Sequence, residues 1–156
     1  ILIQGGRVID PAHQFDAITD LYVAVGRIAG LGQPPAGFKA EQVIDARPTP
    51  RFEGSVPEPR PGLRGGHIPG ARSVPYAGLF DAETGAMKSL DALRAAFTGA
   101  SVALDKPIVT SCGSGVSAGV LTLALYRLGV ADTALYDGSW SQWGEQGGPP
   151  VATGPA

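Results

Sequence analysis

The apolar positions of this chain change their rhythm near residue 42. Ahead of that point they come in short runs cut by turn residues: Ile1-Leu2-Ile3 before Gly5-Gly6, Arg7-Val8-Ile9 before Asp10-Pro11, Leu21-Tyr22-Val23-Ala24-Val25 before Gly26, and then Arg27-Ile28-Ala29. Runs of this length with turn residues between them predict a small antiparallel β meander over residues 1–31. Leu21, Val23 and Val25 alternate as the core-facing positions of a half-buried strand do. A Pro- and Gly-rich stretch, residues 30–37, is expected to act as a linker. The chain therefore divides into a meander with its linker, residues 1–37, and a larger unit, residues 38–156.

Beyond residue 42, short β-branched runs alternate with helical spacing, the mark of an α/β unit. Residues 42–45 read as a strand. The long stretch 48–66 that follows carries Pro48, Pro50, Pro57, Pro59 and Pro61, which predicts a loop of functional size rather than a helix. Leu90, Leu93, Ala96 and Phe97 share one helical face, with Ser89 as the cap and Gly99 as the stop. Ala134-Leu135-Tyr136 reads as a last strand, and Asp137-Gly138-Ser139 opens a short helix whose Trp140 and Trp143 are expected to pack rather than to offer stacking platforms. Residues 147–156 are expected to be poorly ordered.

The centre of the larger unit is residues 107–129, PIVTSCGSGVSAGVLTLALYRLG, which hold the only cysteine, Cys112. Ile108-Val109-Thr110 ends at a Gly- and Ser-rich loop, and the loop runs into Val116, Val120, Leu121, Leu123, Leu125 and Leu128 at helical spacing. A strand, a tight loop and a helix in that order let the backbone N–H groups of residues 113–118 turn into one concavity at the positive end of the helix. An anion fits there, and a thiol in such a field ionises more readily. On composition alone a single cysteine is a small buried hydrophobe. Its place between strand and helix, where open α/β sheets put their ligand sites, favours instead a reactive Cys112 at the mouth of the concavity. Ser114 and Ser117 have two roles open to them, as hydroxyl donors or as caps.

Length and composition change the picture mainly by exclusion. At 156 residues and 44% hydrophobic content the chain suits one domain with a real core and a small extra module. A net charge of −2 with 17% charged residues and no basic stripe argues against nucleic-acid binding. One cysteine makes no internal disulfide and suits a reducing compartment. No apolar run reaches membrane length and residues 1–7 lack a signal-peptide pattern, so a cytoplasmic protein without membrane contact is expected. The two histidines, His13 and His67, lie far apart without ligand spacing, so no metal site is expected. His13 reads as a surface turn residue and His67 as a structural residue that bonds loop backbone.

Five ordered segments now carry a resemblance: Asp45-Ala46-Arg47-Pro48 with Arg51-Phe52, Pro57-Glu58-Pro59-Arg60, Gly66-His67-Ile68-Pro69-Gly70-Ala71, the loop from Cys112 to Ala118, and Tyr136-Asp137-Gly138-Ser139-Trp140. Their order and spacing resemble the catalytic domain of the rhodanese sulfurtransferases. The Gly113-Ser114-Gly115-Val116 form of the loop resembles the 3-mercaptopyruvate branch, since the thiosulfate branch carries basic residues there. The resemblance implies an α/β fold, a rhodanese-like parallel sheet flanked by helices, here preceded by the meander. It implies that Cys112 takes sulfane sulfur from 3-mercaptopyruvate or thiosulfate, holds it as a persulfide and passes it to a thiol or cyanide, with no cofactor. By the same resemblance Gly113, Ser114, Gly115, Val116 and Ser117 surround the bound sulfur, and Arg51 and Arg60 bind the donor's carboxylate and keto oxygen. Asp45 and Arg47 look like an internal ion pair that shapes the loop. In that family a second, inactive rhodanese-like domain closes part of the cleft, and no such segment is legible here, so turnover is expected to be impaired.

Residues 1–46 resemble something else. Gly5-Gly6-Arg7-Val8-Ile9-Asp10-Pro11 and Gly26-Arg27-Ile28-Ala29 are similar to the N-terminal strands of bacterial dihydroorotases, which makes the chain look like a join of two pieces. The dihydroorotase pattern would continue into a barrel strand with a His-x-His pair, whereas this chain continues into Arg47-Pro48. In those enzymes the strands pair with others from the far end of the chain, so open edges here are expected to draw a homodimer or larger assembly through residues 1–31. Two further functions stay open: a catalytically weak or inactive rhodanese-like scaffold or recombined chimera, and a cysteine-dependent phosphatase. Against the phosphatase stands Ala118, six residues after Cys112, where that class needs an arginine.

Overall fold

The computed structural model describes residues 2–24, 27–33 and 42–156, which form two sheets. The first is the expected meander: β1 (Leu2–Asp10), a 3-10 turn over Pro11–His13, β2 (Phe15–Ala24) and β3 (Arg27–Leu31), antiparallel in the order β1-β2-β3. Gly5 and Gly6, predicted as a turn, lie inside β1 instead. The pairing moves from Ile3↔Leu21 to Gly6↔Thr19, so β1 carries one extra residue, a bulge that glycine accommodates. Arg7 grips Asp16 across the strands at 2.7 and 2.8 Å. His13 sits on the exposed turn with Nδ1 2.6 Å from Asp10 Oδ2. The predicted linker begins too early, because Gly30 and Leu31 complete β3; residues 34–41 and Val25 lie outside the described residues. Leu21 is half-buried, while Ile18, Ile28 and Ile9 are 77%, 64% and 58% exposed.

The second sheet is wholly parallel and contains β4 (Gln42–Asp45), β5 (Arg72–Ser73), β6 (Ile108–Ser111) and β7 (Thr133–Leu135) in the order β5-β4-β6-β7. Every residue of β6 is buried, as a parallel strand covered on both faces requires. Gln42 starts β4 and fixes the approach to β6, since its side-chain amide exchanges two hydrogen bonds of 2.8 Å with the backbone of Ala103. Successive strand residues point to opposite faces, and two cores result. Ile44 and Ile108 join Leu93 and Phe97 of α2 (Leu90–Gly99) and Ala118, Leu121, Ala124 and Leu125 of α3 (Ala118–Arg127). Val43 packs on the other core, where Phe52 of α1 (Thr49–Phe52) meets Ile68, Ala71 and the two tryptophans of α4 (Ser139–Trp143). Ser89 caps α2 by accepting the Ala92 N–H, and the helix ends at Gly99 as expected.

Three expectations fail here, each for a local reason. The proline-rich stretch does contain a helix, α1, because Pro50 falls in its first turn, where a missing N–H costs nothing. The helix after the cysteine loop buries alanines as well as leucines, and Val116 and Leu123, counted on its apolar face, are 83% and 53% exposed. The C-terminal tail is held in place. Ala152 and His67 exchange backbone hydrogen bonds of 2.8 and 2.9 Å, Gly154 donates to Glu53 O, Trp143 Nε1 donates to Pro150 O, and Arg64 Nη2 donates to Pro149 O. Gly66 makes that docking feasible, since at φ +115° a Cβ would stand 2.3 Å from Ala152 O. His67 is structural as predicted: it is buried, stacks on Phe52 at 3.8 Å and bonds Phe52 O through Nδ1 at 2.9 Å.

Candidate active site

Cys112 follows the last residue of β6, at the carboxyl edge of the parallel sheet, and the loop 112–117 hands the chain to α3. The cysteine is at the floor of this loop rather than its mouth, 1% exposed and packed into the core beside Ala118. It is both a buried hydrophobe and a polar site. Its sulfur accepts the N–H of Ser114 at 3.4 Å, and the neighbouring Ser117 hydroxyl and Ala118 N–H favour its charged form. Burial alone would raise the thiol pKa, but these donors outweigh it and hold the pKa below the ordinary value. Of the two roles open to Ser117, the side-chain cap is not formed.

The loop amides do not all converge on one concavity. Two of them are taken by Ser139: its Oγ accepts the N–H of Cys112 and the N–H of Gly115, both at 3.1 Å. The single hydroxyl proton goes to Tyr136 O at 2.8 Å, a far better geometry than Cys112 Sγ at 3.9 Å. Ser139 is therefore a staple between the loop and the turn before α4, fully buried and held at φ +47°. Gly115 is the matching half of that joint, because at φ +83° its Cβ would stand 2.9 Å from Asp137 O. Trp140 and Ser141 tighten it further by donating their N–H groups to the carbonyls of Cys112 and Gly113 at 2.9 Å.

Above the loop lies an open cleft of about 120 Å³, lined by Arg51, Glu58, Pro59, Arg60, Leu63, Gly113 and Ser114. The two arginines singled out from sequence, Arg51 and Arg60, thus share one cleft with Gly113 and Ser114. Arg51 lies over the loop, close enough that a methyl on Gly113 would come within 3.1 Å of Nη2. Arg60 donates to the hydroxyl of Ser141, which in turn donates to Gly113 O at 2.6 Å. Val116 stands outside the lining with its side chain in solvent, and Gly115 is buried against the Asp137 turn.

Behind the cleft, Asp45 and Arg47 form the buried ion pair anticipated from sequence, at 2.7 Å and with both side chains almost wholly enclosed. Sequence reasoning missed what joins that pair to the site. Glu58, whose side chain is 1% exposed, accepts from Arg47 at 3.0 Å and from Arg51 at 2.5 Å. An acid between two prolines, Pro57 and Pro59, was the available signal, but nothing in the spacing of Arg47, Arg51 and Glu58 announces a shared carboxylate. Among the described residues no group of three His, Cys, Asp or Glu side chains could hold a metal ion.

A buried cysteine in a loop at the carboxyl edge of a four-stranded parallel sheet, with Arg51 and Arg60 in the cleft over that loop, defines an α/β protein with its site at the strand ends. The profile of the Rhodanese-like domain family matches residues 34–146, and the chain belongs to that family. It is 54% identical over 160 residues to the 3-mercaptopyruvate sulfurtransferase of Escherichia coli (strain K12), covering 97% of this chain and 52% of the relative. It is 45% identical over 102 residues to the Homo sapiens protein of the same name, covering 65% and 34%. Among solved structures, the crystal structure of SseA from Escherichia coli, described as a 3-mercaptopyruvate sulfotransferase, superposes with a TM-score of 0.54 at 51% identity, over 64% of this chain and 36% of that one. The yeast mitochondrial complex I sub-stoichiometric sulfur transferase subunit gives 0.63 at 42% identity, over 73% and 37%. The chain thus spans about half the length of the Escherichia coli relative.

A pKa lowered on folding has a defined consequence for pH. The folded chain stabilises the thiolate, so this contribution is present above the pKa of the unfolded thiol and is lost as pH falls through the folded value. Titration of the thiolate ultraviolet absorbance, with Cys112→Ser as the baseline, is expected to give a midpoint below the ordinary cysteine value of about 8.5. Ser117→Ala should move that midpoint upward, and an unmoved midpoint would remove Ser117 from the account.

Proposed function

We propose that this chain is a sulfurtransferase that moves sulfane sulfur from 3-mercaptopyruvate, or from thiosulfate, to a thiol or cyanide through a persulfide on Cys112. The observation that carries this proposal is the polar cradle around a buried Cys112 whose pKa is lowered, beneath a cleft with two arginines. The names of the relatives support the donor class. The Cys112 thiolate attacks the donor's sulfur; the C–S bond breaks, its electron pair leaves as the enolate of pyruvate, and a proton converts that enolate to pyruvate. The new S–S bond carries the sulfur, and its terminal charge rests against the N–H groups of Ser114 and Ala118 and the hydroxyl of Ser117. Cyanide or a thiolate then attacks the outer sulfur and returns the Cys112 thiolate. Arg51 and Arg60 bind the donor's carboxylate and keto oxygen, and Gly113, Ser114 and Ser117 face the transferred sulfur, whereas Gly115 and Val116, also expected there, point elsewhere.

The meander, whose strands are like dihydroorotase N-terminal strands, contributes structure and association but no chemistry. The alignment with the Escherichia coli relative reaches into this module, so a join of two unrelated pieces rests on the motif likeness alone. Exposed Ile9, Ile18 and Ile28 and the outer edges of β1 and β3 support assembly through residues 1–31 in a cytoplasmic homodimer.

Reaction with mercaptopyruvate followed by intact-mass measurement is expected to add one sulfur to the chain and none to Cys112→Ser. A serine variant that still delivers sulfur to cyanide at the parent rate would sink the proposal, and a parent chain that never gains sulfur leaves the scaffold reading in its place. Arg51→Ala or Arg60→Ala should each remove one charge-assisted hydrogen bond and lower kcat/KM for mercaptopyruvate by about 10- to 150-fold. Equal and small losses with both donors would remove these arginines from donor binding. Light scattering at micromolar concentration is expected to give the mass of a dimer or larger assembly that deletion of residues 1–31 abolishes; a monomer at every concentration ends the association proposal.

A further inference from the structure

Of the charged side chains that line the cleft, Glu58 is the odd member, an acid enclosed within a site proposed to bind an anion. Both of its oxygens face arginines. Oε1 accepts from Arg47 Nη1 at 3.0 Å and Arg51 Nε at 3.3 Å, and Oε2 accepts from Arg51 Nη2 at 2.5 Å. Arg47 is already matched by Asp45, whose carboxylate receives its Nε and Nη2 at 2.7 to 3.1 Å. The charge of Glu58 is therefore set against Arg51. That leaves Arg60 as the unbalanced charge in the lining, since Arg60 meets only the neutral hydroxyl of Ser141. Neighbouring charges lie outside the lining: Arg64 donates to the carbonyls of Trp143 and Pro149, and Asp137 lies against Gly115.

We propose that Glu58 is a specificity-determining residue, which cancels Arg51, holds the cleft at one net positive charge and so matches it to a singly charged carboxylate donor rather than a dianion. The donor part of this rests on the sulfurtransferase proposal. Glu58 also occupies the Nε and Nη2 edge of Arg51, so the guanidinium meets a ligand only with its remaining edge, in one orientation over Gly113. A monoanion gains once from each positive charge in the cleft, and a dianion gains twice. Each unit of cleft charge therefore changes the dianion-to-monoanion affinity ratio about tenfold, at a separation of about 6 Å and an effective dielectric constant of about 40.

Titration calorimetry with pyruvate, a monoanion, and sulfate, a dianion, reads this ratio at low ionic strength without any turnover. Glu58→Gln is expected to move it about tenfold toward sulfate, while Glu58→Asp, which keeps the charge, leaves it within about threefold of the parent value. A parallel assay should find Glu58→Gln shifted toward thiosulfate over mercaptopyruvate in kcat/KM. An unchanged ratio in Glu58→Gln, an equal shift in Glu58→Asp, or a parent chain that binds neither anion overturns the proposal. If Glu58→Gln does not fold, Arg60→Gln takes its place: the cleft falls to zero net charge and the ratio must move about tenfold toward pyruvate, with no movement overturning the proposal. A chain that shows these shifts yet forms no persulfide keeps the charge assignment and loses the sulfurtransferase proposal.

Discussion

The guanidinium of Arg47 is buried to 1% exposure and touches nearly every part of the structure that shapes the cleft. Asp45 at the end of β4 receives two of its nitrogens, Glu58 in the proline-rich loop receives a third, Gly66 O accepts from Nη2 at 2.8 Å, and the indole of Trp140 in α4 lies 4.3 Å from its centre. Burying a cation is costly, and removing one partner of such a pair costs about 3–5 kcal/mol because the other charge is stranded. The loop, the strand and α4 are therefore held in one arrangement, and Glu58 passes that constraint on to Arg51. An arginine that would otherwise be a flexible surface side chain becomes a fixed wall of the cleft.

On the other side of the cleft a neutral device does the same work. Ser139 accepts two loop N–H groups and donates to Tyr136 O, so the cysteine loop is fixed to the turn that follows β7. Those two amides are withdrawn from the sulfur, which accepts the Ser114 N–H and whose charged form Ser117 and Ala118 further favour. The charged form of Cys112 is thus favoured by hydrogen-bond donors of its own loop, which lower its pKa against the effect of burial. The cleft that holds Arg51 and Arg60 is lined by Gly113 and Ser114 of the same loop.

The C-terminal tail and His67 belong to the same frame. Residues 152 and 67 pair their backbones, and Gly154 reaches the carbonyl of Glu53 just after α1, so the tail braces the segment that carries Arg51. The apolar core behind Cys112 and the core that holds the tryptophans lie to either side of the sheet, and the site lies where the ends of β4 and β6 emerge from it.

Much of this was legible in the chain itself. The strands at residues 42–45 and 108–111, the capped helix from Leu90 to Gly99 and the strand-loop-helix around Cys112 follow from local period, caps and glycines, which depend on neighbours in sequence. Asp45 with Arg47, two residues apart on one strand end, was likewise a local inference. The roles of Glu58 and Ser139 were not legible, because each acts through partners brought in from other segments: Ser139 lies 27 residues from Cys112. The same holds for the tail, whose place at the end of the chain predicted poor order while its hydrogen bonds are supplied by residues 53, 64 and 67. Local chemistry determined which elements form and where a reactive sulfur could be made. Which amides reach that sulfur, and how much positive charge faces it, was decided by long-range packing, because hydrogen bonds and buried charges are settled by distance in space.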